Sequence, residues 1–293
     1  MLPAALPRRH VAGLPVLERP LVMGVVNVTP GSFSDGGRYD RPETAIAHGL
    51  ELAAEGADLL DIGGESTRPG ATRPVVAEEL DRVIPVITAL SSEGLIVSVD
   101  TMRAEVAAAA LAAGATLVND VSGGLADPDI LRVVAEAGAP YVAMHWRAHS
   151  DVMARRASYD DVVAEVRAEL SARVDAALAA GIPADRIAVD PGLGFAKTAD
   201  HNWTLLHEMA RLDLGLPVLV GSSRKSFLGA LLADGAGTPR PVLDREDANV
   251  ALTTLAALAG VWAVRVHEVR ASLDAIRVVG RWRAAGRVED DHD

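Results

Sequence analysis

The 293-residue chain has no cysteine, so neither a disulfide framework nor a thiolate metal centre is available to it, and that absence suits a reducing cytoplasm. Aromatic residues make up only 3% of the sequence against 49% hydrophobic residues, which leaves the core to Ala, Val and Leu. The formal net charge is −12, which argues against a nucleic-acid partner. Any anion site must then be a local cluster of Arg, Lys, His and backbone N–H groups. No apolar run reaches the ~20 residues of a membrane span. The longest, 250–264, is broken by Thr253, Thr254 and Gly260 and reads as a buried helix running into a strand. Residues 1–20 carry Pro, Arg and Glu throughout and lack the apolar centre of a signal peptide, so they read as a lead-in arm. An acidic tail occupies 286–293.

What the chain does have is one event repeated. At 58–70, D-L-L-D-I-G-G-E-S-T-R-P-G, a short aliphatic strand ends in an acid and gives way to Gly63-Gly64 and a polar loop before the next helix. Aliphatic strands followed by helices recur at 21–28, 57–62, 95–99, 116–118, 141–144, 187–189, 218–220 and 263–266. Short continuous apolar strands of this kind indicate a parallel sheet covered on both faces. Eight such units in this length predict an α/β fold, a (β/α)8 TIM barrel spanning 21–285. A doubly wound open sheet is the alternative, but G-V-V-N-V-T-P-G after the first strand does not match its glycine-rich dinucleotide turn.

In a parallel barrel the C-terminal ends of all strands face one way, and the polar residues that follow them converge. Here these are Asn27, Asp61, Thr67, Arg68, Asp100, Asn119, His145, Asp190, Lys197, Ser223, Arg224, Lys225, Arg265 and His267. The set divides by chemistry. Asp100, Asn119 and Asp190 suit a flat heterocycle rich in N–H groups, because a carboxylate accepts paired hydrogen bonds from an amidine-like edge. Met144 and Phe195 supply apolar walls. Arg68, Lys225, Arg265 and His267 are cationic or potentially so and, with Asn27, suit a phosphate ester and its Mg²⁺. No activated nucleophile is visible. G-S-S-R-K lacks the G-x-S-x-G elbow, and His145 and His267 lack H-E-x-x-H spacing. Positioning and leaving-group stabilisation are therefore favoured over covalent catalysis. His145 and Arg147 in M-H-W-R are open between substrate contacts and barrel-rim residues.

Seven segments taken together carry a family resemblance: 23–37 (M-G-V-V-N-V-T-P-G-S-F-S-D-G-G), 61–70 (D-I-G-G-E-S-T-R-P-G), 98–101 (S-V-D-T), 119–124 (N-D-V-S-G-G), 190–197 (D-P-G-L-G-F-A-K), 222–226 (S-S-R-K-S) and 264–267 (V-R-V-H). In order and spacing they resemble the dihydropteroate synthases, most of all those of actinobacteria. The resemblance implies a cytoplasmic homodimeric barrel that condenses 6-hydroxymethyl-7,8-dihydropterin diphosphate with p-aminobenzoate and is inhibited by sulfonamides. It implies that Asp100, Asn119, Asp190 and Lys225 hold the pterin, with Val121, Met144, Gly221 and Phe195 around it. It further implies that Asn27 meets Mg²⁺, that Arg265, His267 and Arg68 meet the diphosphate, and that Asp35 joins the catalytic set. Thr67, Pro69, Phe195, Lys225 and Ser226 would shape the p-aminobenzoate pocket. The loops around Ser32-Phe33-Ser34-Asp35 and Ser66-Thr67-Arg68 would close over the site. The expected mechanism is S_N1-like: diphosphate leaves, the ring stabilises a methylene cation, and the neutral arylamine attacks. Two rivals share parts of this pattern. A corrinoid-dependent pterin methyltransferase domain has no need of T-R-P-G or S-R-K, and a non-catalytic paralogue is expected to lose them; both segments are present.

Overall fold

A computed structural model describes residues 5–29, 42–65, 73–149 and 152–287. The expected loop around Asp35, the segment holding Thr67, Arg68 and Pro69, and the last six residues of the acidic tail lie outside the described residues.

Eight strands form one parallel sheet: β1 (Leu21–Asn27), β2 (Leu59–Gly63), β3 (Val97–Asp100), β4 (Leu117–Asp120), β5 (Tyr141–Met144), β6 (Ile187–Asp190), β7 (Leu219–Val220) and β8 (Ala263–Val266). Their order is β6-β5-β4-β3-β2-β1-β8-β7. A parallel bridge between Val189 and Val218 joins the two ends, with Val189 N–H donating to the Pro217 carbonyl at 2.9 Å. The sheet is thus a barrel, and the helices that return the chain clothe it: α1 (Pro42–Glu55), α2 (Val76–Ser92), α3 (Ala104–Ala112), α4 (Asp129–Ala137), α5 (Val162–Ala179), α6 (Ala199–His207), α7 (Ser226–Leu231), α8 (Glu246–Ala259) and α9 (Val269–Arg287). The open-sheet alternative is excluded.

Strand alternation sorts the side chains into two environments. Outward residues such as Leu60, Ile62, Val99 and Val118 pack with the helices in the main apolar layer. Inward residues low in the barrel, Leu21, Met23, Leu59, Leu117, Val142, Ala188, Leu219 and Ala263, form a second apolar layer. On four strands the inward position two residues further along turns polar: Asp61 follows Leu59, Asn119 follows Leu117, Asp190 follows Ala188 and Arg265 follows Ala263. The apolar layer is the floor on which the polar layer stands.

Local signals set the helix ends. Asp161 caps α5 by accepting from Val163 and Ala164 N–H groups. Thr198 and His201 make a capping box that starts α6 at Ala199, and α6 ends at His207 before a separate 3-10 turn at Met209–Leu212. Helix α7 begins at Ser226, because Lys225 is extended at its N-cap. Pro85 lies inside α2, which continues through it.

The arm is tied to the barrel's lower end. Leu6 N–H donates to the Ala259 carbonyl and Ala12 N–H to the Asp185 carbonyl, each at 2.7 Å. Arg9 pairs with both carboxylate oxygens of Asp213 at 2.7 and 3.0 Å, and Arg19 with both of Asp58 at 2.7 and 2.9 Å. Between these anchors Val11 and Leu14, 1% and 7% exposed, join the inner apolar floor beside Trp262. Leu14→Ala is expected to lower unfolding free energy by about 2–4 kcal/mol. A urea midpoint equal to that of the parent would show that the arm does not plug the barrel.

Candidate active site

The inward polar layer is one connected network. Arg265 donates from Nε to Asp61 Oδ2 at 2.6 Å and from its terminal nitrogen to Asp100 Oδ2 at 2.8 Å. Asn119 Nδ2 donates to the same Asp61 oxygen at 3.0 Å. Asp61 is 0% exposed, and its Oδ1 has no hydrogen-bond partner among the described residues. It thus holds Arg265 and Asn119 from below. Burial works against the Arg265 charge, but Asp61 and Asp100 outweigh it and raise its pKa. Burial pushes Asp100 up to about 7; Arg265 opposes this, and the Asp61 charge adds to it. Asp190 is also raised by burial, against the Gly192 N–H that donates to its Oδ1 at 2.7 Å. These carboxyls have lost water and gained few donors, so N–H groups of a ligand would supply what is missing.

Above this layer lies a cleft open to solvent, with about 500 Å³ of empty space when its open mouth is included. Its walls include Asp100, Asn119, Val121, Met144, Asp190, Phe195, Gly221, Lys225, Arg265 and His267, together with Leu193 and Ser223, which the sequence reading had not assigned to a ligand pocket. Asn27 ends β1 opposite Gly63, and a side chain at Gly63 would put its first carbon 3.5 Å from both Asn27 Oδ1 and Asp100 Oδ2. Ser226 opens α7, is exposed, and is not among the cleft residues. Asp35, Thr67 and Arg68 lie outside the described residues.

Two loops carry the cleft's remaining groups. After β6 the chain turns at Gly192, where φ is +67° and any Cβ would sit 2.3 Å from the His145 carbonyl oxygen, so only glycine fits. Lys197 ties this loop together: its Nζ donates to the Gly192 and Phe195 carbonyls at 3.0 Å each and lies 2.8 Å from His145 Nδ1. Burial pushes Lys197 down to about 7, with Asp190 opposing. His145 Nε2 is 2.9 Å from Glu169, which also pairs with Arg147. Burial drives His145 down to about 4, despite the Glu169 bond. The Arg147 guanidinium stands 3.8 Å over the Tyr159 ring, and Tyr159 OH donates to the Ala196 carbonyl. His145 and Arg147 therefore brace the wall from behind, outside the cleft.

After β7, Arg224 adopts φ +62°, an uncommon conformation for a side-chain-bearing residue, and this turn precedes Lys225 at the cleft. Lys225 Nζ lies 4.1 Å over the Phe195 ring, and burial pushes it down to about 8 while Asp190 pulls it up. The turn is held by Arg224 Nε donating to Glu246 at 2.8 Å and by Arg245, whose guanidinium donates to the Arg224 carbonyl at 2.9 Å, the Lys225 carbonyl at 3.4 Å and the Arg240 carbonyl at 2.9 Å. Sequence reasoning missed Arg245, which follows a Pro-rich stretch as one charge among several. Ser223 Oγ is 2.9 Å from His267 Nδ1, and this contact orients the imidazole at the cleft.

A family model described as "Pterin binding enzyme" matches residues 23–267. The dihydropteroate synthase of Mycobacterium leprae (strain TN) is 56% identical over 267 residues, covering 90% of this chain and 94% of that one. Burkholderia cenocepacia dihydropteroate synthase complexed with 7,8-dihydropteroate superimposes with a TM-score of 0.83 at 40% identity, covering 98% of this chain and 99% of that one. The Yersinia pestis dihydropteroate synthase in a sulfonamide drug complex gives a TM-score of 0.87 at 39% identity, over 94% and 98% of the two chains. A barrel with acids, an amide and cations converging above an apolar floor, matched over this much of its length, belongs to the pterin-binding enzymes and, among them, to the dihydropteroate synthases, transferases, here of the actinobacterial type.

Proposed function

We propose that this chain joins 6-hydroxymethyl-7,8-dihydropterin diphosphate to p-aminobenzoate, giving 7,8-dihydropteroate and pyrophosphate. The observation that carries this reading is the meeting of Asp100, Asn119 and Asp190 with Lys225 and Arg265 in one cleft. The two carboxylates accept from the pterin's N–H edge, and Asn119 contributes both a donor and an acceptor. Phe195, Val121 and Met144 cover the faces of the ring. Arg265, His267 and Lys225 meet the diphosphate. As the methylene C–O bond breaks, its electron pair leaves with pyrophosphate, and the cations stabilise that charge. The pterin ring shares the positive charge left on the methylene carbon. The arylamine nitrogen attacks that carbon and then loses a proton; already neutral near pH 7, it needs no strong base. The cleft's main work is to hold the reactants together.

Among the described residues no cluster of three or more His, Asp or Glu could hold a metal by itself. Mg²⁺ does not require one, since it keeps most of its waters and leans on substrate phosphates. Asn27 Oδ1 faces the space beside Gly63 and is an oxygen donor suited to that ion. Mg²⁺ bound there would neutralise diphosphate charge. Chelation is therefore expected to abolish pyrophosphate release, and a sulfonamide to raise the apparent KM for p-aminobenzoate without changing kcat. Release that survives chelation, or noncompetitive inhibition, would reject these parts of the proposal.

Lys225 sets an alkaline limit. As pH rises through about 8 its ammonium is lost, removing a cation beside Asp190, so kcat/KM falls above that pH. Arginine at this position does not titrate. The residual activity of Lys225→Arg should lack that limb, and a limb kept at the same pH would assign it to another group.

A homodimer is proposed from exposed apolar side chains. Leu231 on α7, Leu255 on α8, and Val278 and Trp282 on α9 are all exposed, and α8 packs on α9. Sedimentation at the mass of a single chain would exclude it. Cytoplasmic residence is proposed as well, a compartment that a cysteine-free sequence suits; no helix among the described residues is long and apolar enough to cross a membrane.

A further inference from the structure

Of the chain's 28 Lys and Arg residues only Lys197 and Lys225 are lysine; Lys225 lines the cleft, and Lys197 braces the loop after β6. Their surroundings differ. The Nζ of Lys197 is enclosed by the Gly192 and Phe195 carbonyls and by His145 Nδ1, all within 3.0 Å, so its nitrogen cannot attack anything without breaking those contacts. Lys225 Nζ lies over the Phe195 ring at the cleft, and its attractions to Asp190 and Asp100 act through space, without a hydrogen bond among the described residues. It is a primary amine facing an open cleft, beside Arg265 and His267, which suit phosphate oxygens. A molecule with a phosphate next to an electrophilic carbonyl would be held by the cations with that carbonyl near the amine.

We propose that Lys225 is an acylation site for small acyl phosphates, and that acylation there switches the enzyme off. This rests on the reading of the cleft as a phosphate-accepting site. The amine nitrogen attacks the carbonyl carbon, a C–N bond forms, and the carbon–oxygen bond to phosphate breaks. Inorganic phosphate leaves with the electron pair and takes up the proton that nitrogen loses. No oxidant or further reactant is needed. The product amide carries no charge, so the cleft loses a cation that meets the leaving group. Burial supports the reactivity by lowering the Lys225 pKa to about 8, which leaves much of the amine neutral at mildly alkaline pH. Lys197 is lowered further, to about 7, so its protection depends on its three partners and not on its proton.

The probe is acetyl phosphate, applied to the full chain at pH about 8, with each lysine and the terminal amine followed by peptide mass spectrometry. Lys225 should acetylate at least about tenfold faster than Lys197 in the folded protein, with the difference gone in urea. Pterin diphosphate should protect Lys225, and loss of dihydropteroate formation should track its acetylation. The residual turnover of Lys225→Arg should be unaffected by acetyl phosphate. Equal rates in the folded protein, preference for Lys197, or full turnover with Lys225 acetylated would overturn the inference. An active enzyme whose Lys225 stays unmodified defeats this inference alone. Absence of dihydropteroate from the untreated enzyme defeats the proposed reaction instead.

Discussion

Asp190→Asn is expected to lower kcat/KM for the pterin diphosphate by about three hundredfold. The substitution is nearly isosteric and leaves an oxygen for the Gly192 N–H, which now donates to Asp190 Oδ1 at 2.7 Å. What it removes is a buried carboxylate that a ligand's N–H groups would share. Truncating one side of such a charge-assisted contact costs about 2–5 kcal/mol, and at about 1.4 kcal/mol per tenfold change the midpoint is near two and a half decades. The amide also turns an NH₂ donor toward donors on the pterin, which adds repulsion to loss. Asp190→Ala should be worse, because it orphans the Gly192 N–H and loosens the loop carrying Leu193 and Phe195. Steady-state kinetics and calorimetric pterin binding test this together. Asparagine activity within about threefold of the parent would remove Asp190 from the pterin grip.

Arg245→Met is expected to weaken both folding and turnover although Arg245 is not among the cleft residues. Arg245 is 9% exposed. Burial lowers its pKa, and its recorded donations go to the carbonyls of Arg240, Arg224 and Lys225. Methionine fills similar volume and donates nothing, so backbone oxygens around the Lys225 turn lose their donor. Hydrogen bonds from a charged group contribute about 1.5–3 kcal/mol each, and allowing for water reaching the outermost carbonyl, a loss of about 3–5 kcal/mol is expected. The positive φ of Arg224 then has less to hold it, and kcat should fall at least about tenfold as Lys225 moves. Gly229→Ala attacks the same contact from the other side, since its Cβ would lie 2.5 Å from the guanidinium carbon. Both variants should shift the denaturant midpoint and kcat together. A parental midpoint and kcat in Arg245→Met would show that the turn holds itself.

The barrel was legible because each strand is aliphatic and nearly all of them run directly into a polar residue. Asp100, Asn119, Asp190 and Arg265 could be collected on that ground alone. Their linkage could not. Asp61 and Arg265 are 204 positions apart and meet only because β1 brings β2 and β8 together. Asp61 therefore read as one more strand-end acid, although it is the buried support beneath the other polar groups. Arg245 left no local mark, because its partners are backbone carbonyls, which every residue has. The arm was hidden for a different reason: Val11 and Leu14 follow neither helical nor strand periodicity, and their partners are spread around the barrel floor. His145 and Arg147 sat beside a strand end, as ligand-binding residues do, yet their side chains turn toward Glu169 and away from the cleft.

The most direct measurement follows both products at once, pyrophosphate and 7,8-dihydropteroate, from purified enzyme with Mg²⁺, the pterin diphosphate and p-aminobenzoate. The expected result is equal amounts of the two, with dihydropteroate formation dependent on the arylamine and lost in Asp190→Asn. Tight pterin binding with neither product formed would contradict the proposed reaction and make the chain a pterin-binding relative without synthase activity.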